Sequence, residues 1–200
     1  MANTKKGTTI EITTGKPIVG KKIFYFIQSV DAPKKSQALL PAYRTDGTTT
    51  MGGEYIIDEQ TQQGRVIEKA TDEHSIDLTT YFVPTDPSVA VIEEAKKTGK
   101  SIKIWEVIAD ESVKEQIQIP ESTGPKKDVY PAKFGYAKID EIERGTGISD
   151  LVEMSYTANI VGALQDGKFP LTKEEIEMLE NVYGYQNPGD TTGDYDNITK

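Results

Sequence analysis

The sequence predicts a mainly β domain, a β-sandwich or partly closed barrel of antiparallel strands, with one flanking α-helix and a short C-terminal helix. Three observations carry this. Val152, Met154, Tyr156, Ala158 and Ile160 alternate with Glu153, Ser155, Thr157 and Asn159, the period of a half-buried strand. Ala132, Phe134 and Tyr136 share a face in the same way, and the turn-rich Arg144-Gly145-Thr146-Gly147 joins the two runs as a hairpin or pair. Only two stretches carry helix punctuation, and strands both precede and follow the first of them. That order suits an antiparallel architecture rather than a doubly wound sheet. No internal repeat is present.

Taken in order, residues 1–20 are rich in Thr, Gly and Lys and read as an N-terminal arm. Ile23 to Val30 is a strand greasy on both faces, with Ile23, Tyr25 and Ile27 against Phe24 and Phe26, so both its faces are expected to be covered. Asp31 to Ser36 is a turn. Residues 44–64 read as a long polar loop: Asp46-Gly47 is a turn pair, Thr48 to Thr50 and Gly52-Gly53 follow, and Tyr55-Ile56-Ile57 is a short apolar strand. Separate strands are expected at 65–69 and 76–83. Asp86-Pro87 opens a helix as N-cap and first-turn residue, Val89, Ile92 and Ala95 face inward, and Gly99 ends it.

Ser101 to Ala109 is a strand carrying the single Trp, Trp105. Residues 111–127 are a loop with a short strand around Ile117 to Ile119. After the central hairpin, Thr172 and Glu175 form a capping box, and a helix turns Ile176, Leu179, Val182 and Tyr183 inward until Gly184. The chain thus divides into an arm (1–20), a β domain (21–184) and a polar tail (185–200).

Its 200 residues suffice for one domain with a full core. A net charge of −9 disfavours non-specific nucleic-acid binding, which needs Lys and Arg to displace phosphate counterions. With no cysteine there is no disulfide, thiolate nucleophile or Cys-containing zinc site. The first residues lack the apolar core of a signal peptide, and no apolar run is long enough to span a bilayer.

Chemistry-bearing motifs are scarce. Gly15 to Lys22 approaches a phosphate-binding loop, but Lys22 stands where Ser or Thr would hold magnesium, and a strand follows where a helix should. His74, the one histidine, sits between acids in Asp72-Glu73-His74 and reads as part of a solvated loop. The pairs Glu93-Glu94, Asp140-Glu141 and Glu174-Glu175 could in principle serve a carboxylate-pair hydrolase, but they suit helix surfaces and a helix N-terminus better. Asp190, Asp194 and Asp196 lack the spacing of a calcium loop. Trp105, Tyr130, Phe134, Tyr136 and Tyr156 lie at alternating strand positions and read as core rather than as a stacking platform. No catalytic residue, cofactor or metal ligand is assigned.

The strings Tyr130-Pro-Ala-Lys-Phe-Gly-Tyr-Ala137, Gly147-Ile-Ser-Asp-Leu-Val-Glu-Met-Ser-Tyr156 and Gly167-Lys-Phe-Pro-Leu-Thr172 carry a likeness that runs from about Ile23 to Thr172. In their order and spacing the chain resembles the major tail proteins, or tail tube proteins, of long-tailed phages (siphophages) of Gram-positive bacteria. The resemblance implies a structural, non-enzymatic virion protein. It would be made in the host cytoplasm and self-assemble into stacked hexameric rings, with neighbouring sheets joined into one inner barrel.

The tube would surround a tape-measure protein, meet tail-tip and terminator proteins, and pass genomic DNA without specific binding. The resemblance also implies that the 44–64 region bridges subunits or rings, with Arg44, Asp46, Thr48, Thr50, Glu54, Tyr55, Ile57 and Gln60 as candidate interface residues. The arm and residues 111–127 are further candidates. The polar faces of Ser101–Ala109 and Leu151–Val161 are both eligible to line the lumen. Alternatives are a related ring-forming virion protein, such as a tail terminator or connector, and a carboxylate-pair hydrolase. The tail after Gly184 departs from a bare tube domain and is too short for an added immunoglobulin-like domain.

Overall fold

The computed structural model describes residues 4–6, 11–13, 15–57, 64, 67–118 and 126–180. Near the N-terminus, β1 (Thr4–Lys6) pairs antiparallel with β2 (Glu11–Thr13). The body is an eight-stranded sheet in which every pairing is antiparallel. Its strands are β3 (Ile23–Ser29), β4 (Arg44–Ile57), β5 (Ile67–Tyr81), β6 (Ile102–Ile108), β7 (Glu115–Gln118), β8 (Lys126–Gly145), β9 (Glu153–Ile160) and β10 (Gln165–Pro170). The main path runs β3-β6-β8-β9-β5-β4, and β7 and β10 also pair with β8.

The 20-residue β8 makes the sheet curl into a half-barrel. Along one edge it pairs with β7 and then β6; along the other it pairs with β10 and then β9. One strand therefore belongs to two differently oriented patches, and a register shift between Ile139 and Ile142 marks a bend within it.

Helix α1 (Pro87–Thr98) covers one face of the curl. The Asp86 side chain caps it by accepting the Ser88 amide at 2.8 Å, and Gly99, at φ 69°, ends it in the left-handed conformation that glycine adopts without penalty. Val89, Ile92 and Ala95 enter a core with Tyr25, Ile27, Ile76, Leu78, Ile104, Ile139, Met154 and Tyr156. A second, smaller core lies on the other side of β3 and β6, where Phe26, Val107, Tyr130 and Leu171 pack with Trp105, Phe169 and Ile176. Phe26 and Phe169 stack at 4.9 Å. The expectation for β3 thus holds: Tyr25 and Ile27 serve the first core and Phe24 and Phe26 the second.

Helix α2 (Lys173–Glu180) closes this second core with Ile176 and Leu179. Its capping box is formed as the sequence predicts: the Glu175 amide donates to Thr172 Oγ1 at 3.2 Å and the Thr172 amide to Glu175 Oε2 at 2.8 Å. Val182, Tyr183, Gly184, the polar tail and residues 1–3, 7–10 and 14 of the arm lie outside the described residues.

Four sequence expectations are corrected. Residues 44–57 are a strand, not a loop, because Thr48, Thr49 and Thr50 are β-branched and alternate between the two faces of the sheet. Asp46-Gly47 is accordingly no turn. Gly47 sits where the strand passes close to the body: an added Cβ would lie 2.8 Å from Arg44 Nη1, 2.9 Å from Tyr25 Cε2 and 3.0 Å from Leu78 Cδ2. The strands expected at 65–69 and 76–83 are one strand, β5, whose middle is polar because it leaves the body there.

Residues 165–170, for which no strand is expected, form β10 against β8. Finally, His74 is not in a solvated loop. It lies in β5 with its side chain 11% exposed, and its Nδ1 accepts the Leu164 amide. Elsewhere β8 continues through Gly145, so the hairpin turn falls at 146–152, and the strand expected near Ile117 is β7.

Candidate assembly surfaces

Three features of the sheet are left without an internal partner among the described residues: a polar face, two strand margins and a projecting ribbon. The polar face belongs to β4, β5, β9 and the C-terminal half of β8, opposite the face that α1 covers. Register pairs Thr48 with Asp77, Asp46 with Thr79, and Thr79 with Ser155, and brings Glu143 beside Ser155. The side chains knit across the strands: Thr157 Oγ1 donates to Asp77 Oδ1 at 2.5 Å, and Thr79 and Ser155 hydroxyls meet at 3.0 Å.

A shallow depression there is lined by Asp46, Asp77, Glu141 and Glu143 among Thr and Ser side chains. Four carboxylates and short hydroxyls give a hydrated, acidic surface. Among the described residues there is no group of three or more His, Cys, Asp or Glu placed to hold a metal ion.

The other strand face considered for a lumen, on β6, is packed. Trp105 and Val107 lie in the second core, and Trp105 meets Phe134 at 5.2 Å. Of the aromatics read as core, Tyr130 and Tyr156 are buried, whereas Tyr136 is largely exposed beside Phe134. Glu93, one of the paired acids, is held by Arg144, whose guanidinium also lies 4.3 Å over the Phe82 ring.

The margins are the outer side of β4 and of β8 beyond residue 137. Among the described residues, strand β4 pairs only with β5, and pairing of β8 with β6 stops at Ala137 while pairing with β9 continues to Gly145. At that stretch of β8 the nearby groups are side chains and helix ends of α1: Lys96 reaches the Asp140 carbonyl and Lys138 the Gly99 carbonyl. Margins of this kind offer unpaired backbone groups to another strand.

The ribbon is the distal part of β4 and β5. Pairing of β5 with β9 ends at Ser75, yet β4 and β5 stay paired from Met51–His74 out to Ile57–Ile67. This two-stranded extension has no third strand among the described residues, and Met51, Tyr55 and Ile67 are exposed on it. The predicted interface residues divide along this geometry. Arg44 is held internally, donating to the Gly20 and Ile23 carbonyls at 3.1 and 3.0 Å and lying over the Tyr25 ring.

Asp46, Thr48 and Thr50 lie exposed on the polar face, and the Asp46 carboxylate accepts the Gly47 amide. Glu54, Tyr55 and Ile57 belong to the ribbon, with Glu54 at a register shift. Gln60 lies outside the described residues. Sequence reasoning missed Asp77, Glu141 and Glu143 as one surface. The available signal was the alternation of Asp77 with Ile76 and Leu78, which puts it opposite the core.

No known family's sequence profile matches the chain. It is 35% identical over 179 residues to the tail tube protein gp17.1* of Bacillus phage SPP1, an alignment covering 89% of this chain and 62% of that protein. The chain thus spans less than two thirds of the length of that curated relative. Among solved structures, the SPP1 tail tube determined by solid-state NMR and cryo-electron microscopy superposes with a TM-score of 0.64 at 30% identity, over 88% of this chain and 95% of that one. The tail of an empty gene transfer agent particle, refined with C6 symmetry, superposes at 0.51 and 14% identity, covering 74% and 98%.

Proposed function

Because this chain belongs to the tail tube proteins of phages, we propose that it assembles into stacked hexameric rings forming the tail tube of a virion, the conduit for its genome. The observation that carries this reading is the pair of open margins flanking one polar, four-stranded segment. Successive strands alternate in direction, so β4 and β8 run opposite ways. Rotation about a ring axis preserves strand direction along that axis. The outer side of β4 in one subunit can therefore meet the outer side of β8 in the next and continue the antiparallel alternation without a break. Closure of the ring removes every such edge.

With α1 on the opposite face, the Thr- and acid-rich face of β4, β5, β9 and β8 becomes the lumen. Asp46, Asp77, Glu141 and Glu143 then face the passing genome and repel its phosphates, so DNA slides without sticking. The role is structural rather than enzymatic, and the acids are spread along a shallow sheet face instead of converging in a cleft. The sixfold symmetry of the gene transfer agent tail supports the ring size. A tape-measure protein inside the tube, tail-tip and terminator proteins at its ends, and the ribbon residues Glu54, Tyr55 and Ile57 as contacts between copies complete the proposal.

Negative-stain electron microscopy of concentrated protein, with light scattering on the same sample, tests it. Sixfold rings or hollow tubes are expected. A discrete oligomer without a central channel, in the presence of a tail-tip initiator, overturns it.

A further inference from the structure

Antiparallel pairing fixes which way each backbone group of an edge strand points. On β5, the Tyr81 amide donates to the Tyr43 carbonyl at 3.1 Å, toward the β4 side, and the Phe82 amide donates to the Val152 carbonyl at 2.7 Å, toward the β9 side. Facing alternates along a strand, so Thr79, Asp77 and Ser75 turn their backbone groups to β4, and Leu78 turns its own to β9. Gly47 pairs with Leu78. It therefore holds a non-hydrogen-bonded position of β4, and its N–H and C=O point out of the sheet edge, to the side where β8 of the next subunit is proposed to pair.

That outward N–H is not bare. The carboxylate of the preceding residue, Asp46, accepts it through Oδ1 at 2.8 Å. Asp46 itself pairs with Thr79, so its own N–H and C=O are engaged with β5 and only its side chain reaches the edge. The other margin is covered in the opposite sense: the Lys96 ammonium lies on the Asp140 carbonyl, at the register shift within β8. One margin thus has a donor taken by a carboxylate, the other an acceptor taken by an ammonium.

We propose that Asp46 is a removable latch on assembly: its carboxylate occupies the Gly47 amide in the free subunit and must let go before the outer side of β4 can pair with another copy. This rests on the tube reading and adds a control on when the lateral contact forms. A charge-assisted hydrogen bond is stronger than the neutral N–H···O=C bond that replaces it, so the exchange at Gly47 is uphill. Pairing proceeds only when the rest of the strand and the closing ring outweigh that loss. Unpaired edges recruit whatever strand meets them, and a charge laid across an edge discourages chance pairing while leaving concerted ring closure open. The released carboxylate stays on the exposed polar face, so opening the latch buries no charge.

Two measurements on Asp46→Ala and Asp46→Asn test the latch. Alanine removes the acceptor; asparagine removes the charge and keeps an oxygen for the Gly47 amide. In the unassembled subunit, hydrogen exchange at the Gly47 amide, followed by NMR, is expected to be about tenfold faster in Asp46→Ala than in wild type and within about threefold of wild type in Asp46→Asn. Equal exchange in wild type and Asp46→Ala overturns the latch, whatever the protein assembles into.

Light scattering and electron microscopy across a range of protein concentrations give the second readout, the threshold at which rings or tubes appear. Asp46→Ala is expected to lower it about fivefold, with Asp46→Asn staying within about twofold of wild type. An unchanged threshold in Asp46→Ala overturns the gating role. An equal fall in both variants means charge repulsion rather than an occupied amide, and overturns it too. The side chain is exposed, so both variants are expected to keep the wild-type circular dichroism and melting temperature. Slow Gly47 exchange in wild type with no ring or tube from any of the three chains leaves the Asp46–Gly47 bond standing and overturns the tube reading and the gating built on it.

Discussion

The Nδ1 atom of His74 accepts the backbone N–H of Leu164 at 3.0 Å, joining the base of the projecting ribbon to the corner between β9 and β10. The ring is nearly buried, and Asp72, itself paired with Lys69 at 2.5 Å, lies 3.9 Å from Nε2. His74→Ala leaves the Leu164 amide without its acceptor, at a cost of about 1–3 kcal/mol. Urea unfolding should register the loss. Amide exchange should localise it, with faster exchange at Leu164 than in the α1-covered core. Unchanged Leu164 protection in the variant would count against this role.

Tyr156 lies in the α1-covered core, and its hydroxyl has no hydrogen-bond partner among the described residues. Burial, and secondarily the Asp86 carboxylate, push its phenol well above the ordinary tyrosine range. The native state therefore keeps a proton that the unfolded chain releases above pH ~10. The stabilisation is complete below that pH and is lost as pH rises, at about 1.4 kcal/mol per pH unit for one proton. Tyr156→Phe should be neutral or stabilising by ~1 kcal/mol at pH 7, since it removes an unpaired buried hydroxyl. It should also flatten the alkaline limb of a stability–pH curve by one proton. The Tyr25 phenol, in the same core and raised chiefly by burial, keeps a residual slope of the same sign.

Gly47→Ala places a methyl group within 3.0 Å of side-chain atoms of Arg44, Tyr25 and Leu78. Overpacking of this kind costs about 1–3 kcal/mol. Part of the strain should be relieved by displacing the Arg44 guanidinium from the Gly20 and Ile23 carbonyls. Thermal unfolding of Gly47→Ala alone and combined with Arg44→Ala tests this: the double variant should lose less than the sum of the two single losses.

Asp86 holds two backbone amides, Ser88 through Oδ1 at 2.8 Å and Ala42 through Oδ2 at 2.9 Å. One carboxylate thus caps α1 and fixes the segment that leads into β4. Asp86→Ala should cost about 2 kcal/mol or more, beyond the ~1 kcal/mol of a simple cap, and Asp86→Asn should recover part of it. Equal losses in the two variants would mean that charge rather than hydrogen bonding matters.

Charge on the proposed lumen separates stability from duty. Glu141 and Glu143 are exposed, so Glu141→Lys with Glu143→Lys should shift the melting temperature little. Assembled tubes carrying both should retain short duplex DNA at low salt where wild-type tubes do not, and release it as salt rises. Equal retention by the two tubes would remove the electrostatic role.

Local periodicity by itself determined much of this protein. Alternation in 152–160 and 132–136 marked β9 and the middle of β8; Asp86, Pro87 and Gly99 bounded α1; Thr172 and Glu175 opened α2; and the doubly apolar 23–27 segment required cover on both sides. Each is a short-range constraint, a period of two, a cap or a turn of helix, that a residue and its near neighbours decide. The order and spacing of the three quoted strings also sufficed to point to the tail tube family.

Only tertiary structure decided the rest. Residues 44–57 look like a loop because Asp46-Gly47 is read locally as a turn. It is the approach of Tyr25 and Leu78 from other strands that demands glycine there. The continuity of β5 was hidden because its middle stands clear of the core and carries no buried face to set a period. His74 gained its place from Leu164, ninety residues away. Asp46, Asp77, Glu141 and Glu143 became one acidic surface because four strands drawn from across the chain lie side by side in register. Such relations depend on which distant strands pair, and no local pattern of side chains encodes that choice.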